Sequence, residues 1–188
     1  MKLILASNSP RRKKFLSDAG FDFEVVVSSF NELDCCLSPE EVAKANAFGK
    51  ANEVFNSLQD KGDAVVLGAD TVVFIDGKIL GKPTDNAHAK QMLESLSGRE
   101  HTVVTGYAIV SKDKTIVDSV SSGVVFNNLS QEIIEEYVAT GSPLDKAGGY
   151  GIQDDFGLIK GYSGSLSNII GLPIEDITPL LNQVMGKK

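Results

Sequence analysis

Cysteine, histidine and arginine are all scarce in this 188-residue chain, which has two, two and three of them. Cys35 and Cys36 are adjacent, which gives neither zinc-ligand spacing nor a loop for a disulfide to close, so a reducing cytoplasm is the expected setting. His88 falls on an expected helix and His101 opens an expected strand. They form no H-E-x-x-H motif and no local nucleophile–base pair, which sets aside Ser-His and Cys-His hydrolases. G-x-x-x-x-G-K-[ST] is absent, and no G-x-G-x-x-G follows the first strand, so the ATP-cradle and dinucleotide fingerprints are missing. No apolar stretch approaches the ~20 residues of a membrane span, and the opening apolar run is too short for a signal peptide. Repeats, linkers and low-complexity segments are also lacking. Positive charge is in deficit, with a net −7, which argues against broad binding to nucleic acid or anionic membranes. Any anion must be recognised by a local basic cluster, and that favours a small phosphorylated ligand.

What is present suits a self-sufficient fold. With 42% hydrophobic residues, the chain can bury roughly 70% of its unfolded surface, as one domain over residues 1–188 or as two closely joined lobes. All three arginines sit in short motifs of small residues and proline, and two stand in Ser7-Asn8-Ser9-Pro10-Arg11-Arg12, directly after the apolar Leu3-Ile4-Leu5-Ala6. The apolar stretch reads as a buried strand, Ser9 as an N-cap and Pro10 as the first helical residue. Arg11 and Arg12 then occupy a helix's first turn, where the macrodipole opposes a cation by roughly 0.3–1 kcal/mol unless an anion intervenes. Backbone N–H groups, serine hydroxyls and forked guanidinium groups suit a phosphate chain. Two solvated arginines on a surface helix fit the same run.

Hydrophobic period and punctuation then order the elements. Arg11 to Ala19 reads as a helix closed by Gly20, and Phe21 to Val27 as a second strand. Ser38-Pro39-Glu40-Glu41 is a capping box that opens a long helix to about Leu58, with Lys50 inside it. Ala64 to Ile75 is a valine-rich strand, turned at Asp76-Gly77 into Lys78 to Leu80. Asp85 to Leu96 is helical up to Ser97-Gly98, and His101 to Val110 pairs with Thr115 to Phe126. Ser130 caps Gln131 to Thr140, a glycine-rich stretch follows, and one or two helices end the chain, with Pro179 leaving the last boundary open. This mixed order predicts an α/β or α+β fold with a mixed sheet.

Several side chains depart from these patterns. Asp70 interrupts a strand flanked by valines, where an unpaired carboxylate would be costly to bury. It reads either as a magnesium ligand or general base, or as a carboxylate satisfied by Thr71 and nearby amides. Glu32, after the second strand, is a candidate second carboxylate. Lys82 and Arg99 are cations held at turns, Lys146 opens the glycine-rich run through Gln153, and Thr105-Gly106 marks a bulge or a close backbone approach. A basic cluster, two carboxylates and glycine loops suit metal-assisted attack of water on a phosphoanhydride.

Ser7 to Arg12, Gly68 to Thr71, Gly81-Lys82-Pro83, Leu96 to Arg99 with His101 and Thr105-Gly106, Lys146 to Gln153, and Asn168 to Pro173 occur in an order that resembles the Maf family of nucleoside triphosphate pyrophosphatases. The resemblance implies an α/β fold whose long mixed sheet separates two lobes around a cleft, related in shape to the inosine triphosphatase type, and a homodimer. It implies cleavage between the α and β phosphates with magnesium or manganese. Asp70 matches the proton acceptor, and Glu32 the acid that with Asp70 holds metal and substrate. Ser7, Arg11, Arg12, Lys50 and Lys82 match the triphosphate site, with Lys146 beside it. Arg12, Thr71 and Gln153 match the specificity positions as they stand in the dTTP/UTP group, and modified pyrimidine nucleotides fall within the same expectation. A glutamine amide can donate to O4 and accept from N3–H of uracil or thymine, which penalises cytosine. Asn31 departs from the family, because an acid commonly precedes the Glu32 position. The alternatives are a nucleotide-binding regulator of cell division or septum formation that needs no turnover, and an inosine triphosphatase-like purine sanitiser.

Overall fold

The computed structural model describes residues 1–33 and 38–186, so Cys35 and Cys36 lie outside the described residues. Seven strands form one mixed sheet. The first, β1 (Lys2–Leu5), leads through a turn into α1 (Pro10–Asp18), and β2 (Phe23–Val25) returns parallel to β1. Helix α2 (Pro39–Ser57) then crosses to β3 (Ala64–Ile75) and its hairpin partner β4 (Lys78–Leu80). Helix α3 (Asn86–Leu96), the long strands β5 (Glu100–Ser111) and β6 (Thr115–Phe126), and α4 (Gln131–Ala139) follow. Two short 3₁₀ turns, Ser142–Asp145 and Ala147–Gly149, precede β7 (Ile159–Ser163), α5 (Leu166–Ile170) and α6 (Ile174–Met185). The sheet order is β2-β1-β3-β5-β6-β7, with β4 on the free part of β3.

Alternation along the strands divides the core. Ile4, Val66, Val104 and Ala108 face α2, whereas Leu3, Leu5, Leu67 and Ile109 face α1 and α6. On the latter face, toward the far end of β3, a second cluster packs Val73, Ile75 and Val103 against α3 and α4. Helix α2 lies unusually near the sheet, because glycines stand where it crosses: a Cβ on Gly68 would fall 2.3 Å from the Ala47 carbonyl oxygen, and one on Gly106 2.3 Å from the Ala43 carbonyl. Gly106 therefore marks a close backbone approach within a regular ladder, not a bulge.

The expected elements recur with local corrections. The capping box at Ser38 closes both ways, with Glu41 N–H donating to the Ser38 hydroxyl and Ser38 N–H to the Glu41 carboxylate. Ser9 stands at the N-cap of α1, but its side chain makes no capping bond; its own N–H donates to Ser7 Oγ. The second strand is shorter than the expected Phe21 to Val27, because the Phe21 N–H closes the turn onto the Leu16 carbonyl and, among the described residues, β2 pairs only with the short β1. Pro179 lies inside α6, whose Ile177 and Leu181 are fully buried against β1 and β3. Their packing offsets the hydrogen bond that proline removes. Among the described residues, no helix is long and apolar enough to cross a membrane.

Candidate active site

A gap in the sheet positions the site. β1 pairs with β3 only to Leu67, and β4 rejoins β3 at Val73, so Gly68 to Val72 have a strand on one side only. Side chains from both faces of β3 reach this gap: Asp70 from the face under α2, Thr71 from the other. The parallel strand β1 ends beside it, at the carboxyl edge where open α/β sheets place their ligands. The resulting cleft, about 880 Å³, is lined by residues from Ala6, just past β1, through Gly171.

On the α2 side, Lys50 Nζ lies 2.6 Å from Asp70 Oδ1 and 2.6 Å from Glu32 Oε1, so one ammonium joins both carboxylates. Asn46, one helical turn before Lys50, donates through Nδ2 to Asp70 Oδ2 at 3.0 Å, and its Oδ1 accepts from Leu33 N–H at 2.7 Å. Asp70 is 6% exposed, and these two bonds answer the cost of its burial. Its partners are Lys50 and Asn46 rather than Thr71. Burial pushes the Glu32 carboxyl up, but the hydrogen bond and charge of Lys50, with Lys82 and Arg12 behind it, leave it below its ordinary value.

On the α1 side, Arg12 spreads its fork over three acceptors: Gly171 O at 2.9 Å, Ser7 Oγ at 3.1 Å and Thr71 Oγ1 at 3.2 Å. Burial lowers its pKa, with Asp70 opposing. Gly171 is presented by α5, anchored where Asn168 accepts from Thr105 N–H and donates to the Val103 carbonyl. Arg11 crosses the cleft to Asp145 at 3.0 Å. Burial raises the Asp145 carboxyl, and Lys146 and Arg11 bring it below its usual value.

The cleft thus gathers Ser7, Arg11, Arg12, Glu32, Lys50, Asp70, Thr71, Lys82, Lys146 and Gln153. Lys82 and Gln153 are exposed and hydrogen-bond to no described residue, so their polar ends are available. Lys146 is differently placed: the residue is 9% exposed, and its ammonium donates to Ser142 O at 2.5 Å, Ser142 Oγ at 2.9 Å and Asp145 at 2.8 Å. Arg99 lies outside the cleft, bonded to Asp76 at 2.6 Å and to the Ser95 carbonyl, where it ties the β3–β4 hairpin to the end of α3. The sequence reading missed Asn46 and Asp145. Asn46 carried one signal, its position four residues before Lys50 on a helix face otherwise lined by Val42, Ala43, Ala47 and Ala51; Asp145 carried none, since an acid in a loop is usually only solvated.

Residues 2–184 match the family described as Maf-like protein. The dTTP/UTP pyrophosphatase of Bacillus cereus strain AH820 is 44% identical over 184 residues, covering 97% of this chain and 95% of the relative. That of Thermococcus gammatolerans is 46% identical over 179 residues, covering 95% and 94%. Among solved structures, a Mycobacterium abscessus nucleoside-triphosphatase / dITP/XTP pyrophosphatase covers 99% of this chain and 97% of its own, at 16% identity and a TM-score of 0.45. The Staphylococcus aureus Ham1 protein covers 67% and 72%, at 16% identity and a TM-score of 0.48. The family match takes in every side chain described around the gap in the sheet, and with relatives this similar over nearly their whole length the chain belongs to the Maf-like protein family.

Proposed function

We propose that this protein hydrolyses dTTP and UTP, and modified pyrimidine nucleotides of the same shape, to the monophosphate and pyrophosphate. The carrying observation is the carboxylate pair of Asp70 and Glu32 on Lys50, facing Arg11, Arg12 and Ser7 across one cleft. A triphosphate laid over the start of α1 meets the two guanidinium groups, the Ser7 hydroxyl and the free ammonium of Lys82. Asp70 then takes a proton from the water that attacks the α-phosphorus, and the bond to the bridging oxygen breaks as pyrophosphate leaves. Lys50, bonded to Asp70 Oδ1, keeps that carboxylate aimed.

The donor set fits a divalent cation. No group of three or more His, Cys, Asp or Glu stands ready for a metal among the described residues, and two carboxylates beside a phosphate site suit magnesium or manganese shared with the substrate. Glu32 and Asp70 would hold it. When bound, such an ion withdraws charge from the phosphate oxygens and makes water a better nucleophile. Asn31, without a charge, leaves the set at two.

For base choice, Gln153 offers its free amide from the cleft wall while Arg12 and Thr71 stay bonded to each other. The dTTP/UTP relatives support that assignment. We extend the reading to one domain over residues 1–188 that forms a homodimer and works in the cytoplasm, where it clears excess or non-standard pyrimidine nucleotides. A regulator of cell division that only binds an anion has no use for the carboxylate pair, so the site does not favour it.

A panel of triphosphates with magnesium, scored for pyrophosphate release, tests the proposal. dTTP and UTP are expected to lead, with dCTP and CTP lower by at least about tenfold, the scale of a lost base contact. Preference for 7-methyl-GTP or inosine triphosphate would overturn it.

A further inference from the structure

Tyr150 and His101 form a pair that the phosphate chemistry does not use. His101, on β5, is 3% exposed, and its Nε2 lies 2.6 Å from the Tyr150 hydroxyl. Their rings stand edge-on at 5.3 Å, and Phe126 meets them at 5.1 and 4.8 Å. His101 Nδ1 is buried without a hydrogen-bond partner, the one such side-chain atom among the described residues. Nε2 and the tyrosine hydroxyl share one hydrogen bond, whose donor is set by the imidazole tautomer. An apolar ring would fill this aromatic nest and remove the unpaired nitrogen, but would take from the Tyr150 hydroxyl its bond to Nε2. The imidazole is accounted for by what it holds.

It holds a loop. Gly148 and Gly149 have left-handed φ of 69° and 72°, and a Cβ on Gly148 would fall 2.8 Å from Val73 Cγ2, so only bare backbone crosses β3 here. The Gly148 N–H donates to the Gly81 carbonyl at 2.9 Å, Tyr150 follows as part of the cleft wall, and the Gly151 N–H donates to the Tyr137 hydroxyl at 3.0 Å. Two residues later comes Gln153, whose amide bonds to no described residue. Its aim is therefore set by the anchors behind it, and His101 provides one of them through Tyr150.

We infer that His101 is a positioning residue for base selectivity: by fixing Tyr150, it holds the loop of residues 146–153 so that Gln153 faces the bound base. This rests on the reading of Gln153 given above. The hydrogen bonds of Asp70, Lys50 and Arg12 do not include the pair, so the chemical step is left alone.

The test compares Tyr150→Phe, His101→Phe and their double variant, all keeping the aromatic packing, with His101→Gln, whose amide can donate or accept. Each single Phe variant is expected to lower the ratio of kcat/KM for dTTP over dCTP by roughly tenfold, through KM for dTTP, with kcat within about threefold. The double variant should be no worse than either single one, and His101→Gln should recover most of the ratio. In parallel, hydrogen exchange at the Gly148 and Gly151 amides should quicken by about tenfold in the Phe variants, while α2 amides stay unchanged. An unchanged ratio, or an equal loss of kcat on every triphosphate, overturns the inference. Should the wild-type protein cleave no triphosphate, the function reading falls, and exchange alone judges the anchor: faster exchange supports it and unchanged exchange removes it.

Discussion

Asp70 concentrates the chemistry of the residue scale. It is buried on the helix face of the sheet, yet both its oxygens are occupied, one by Lys50 at 2.6 Å and one by Asn46 at 3.0 Å. Asp70→Asn keeps the shape and the burial but removes the proton acceptor, so turnover is expected to fall by a factor on the order of 10²–10⁴, the range for loss of a general base. Circular dichroism should be unchanged and the pyrophosphate assay should read the fall; turnover near the wild-type value would take Asp70 out of the catalytic role. Asp70 was legible in the sequence because a carboxylate among valines is out of place. Asn46 was not: a neutral amide inside a helix gives no electrostatic warning, and only the fold shows that it shares Asp70 with Lys50.

Helix α2 delivers both partners to Asp70, and its seat belongs to the scale of elements. The helix approaches β3 and β5 over Gly68 and Gly106 with Ala43, Ala47 and Ala51 facing them. In Gly106→Ala the new methyl would meet the Ala43 backbone, which cannot swing aside, so the whole helix must shift. The expected cost is about 1–3 kcal/mol of stability. Turnover should fall as well, because Lys50 and Asn46 move with the helix. Gly161→Ala on β7, where nothing lies within 4 Å, is the control and should stay within about 0.5 kcal/mol. Urea unfolding and the pyrophosphate assay read both effects; a Gly106→Ala protein as stable and active as the control would refute this account of the seat. The element order could be read from caps, turn glycines and hydrophobic period, since these are local. The length of β2 could not, because alternation from Phe21 to Val27 does not reveal how short its partner strand β1 is.

At the scale of the molecule, the cleft exists because β1 and β4 leave five residues of β3, Gly68 to Val72, between their pairings, and the chain returns 159 residues after Arg12 to offer it the Gly171 carbonyl. No local pattern carries such information; the charged ligands announced themselves, whereas the backbone acceptor and Asp145 depend on what folds over them. The same global packing buries His101 and holds its pKa from 6.5 down to about 4. Between those values the unfolded chain binds a proton that the folded chain refuses, so stability falls as pH drops through this window and recovers as pH rises. The carboxylates brought below their usual range, Glu32 and Asp145 among them, act in the opposite region: their contribution is whole above the ordinary carboxylate pKa and fades only in stronger acid. From pH 7.5 to 5.5 the His101 share is on the order of 1 kcal/mol, by integrating the two titrations. Urea unfolding of the wild type and of His101→Phe at both pH values isolates it: the wild type should lose on the order of 1 kcal/mol more than the variant on acidification. Equal losses would mean that His101 titrates in the folded protein as it does in water, which the closed nest of Phe126 and Tyr150 forbids.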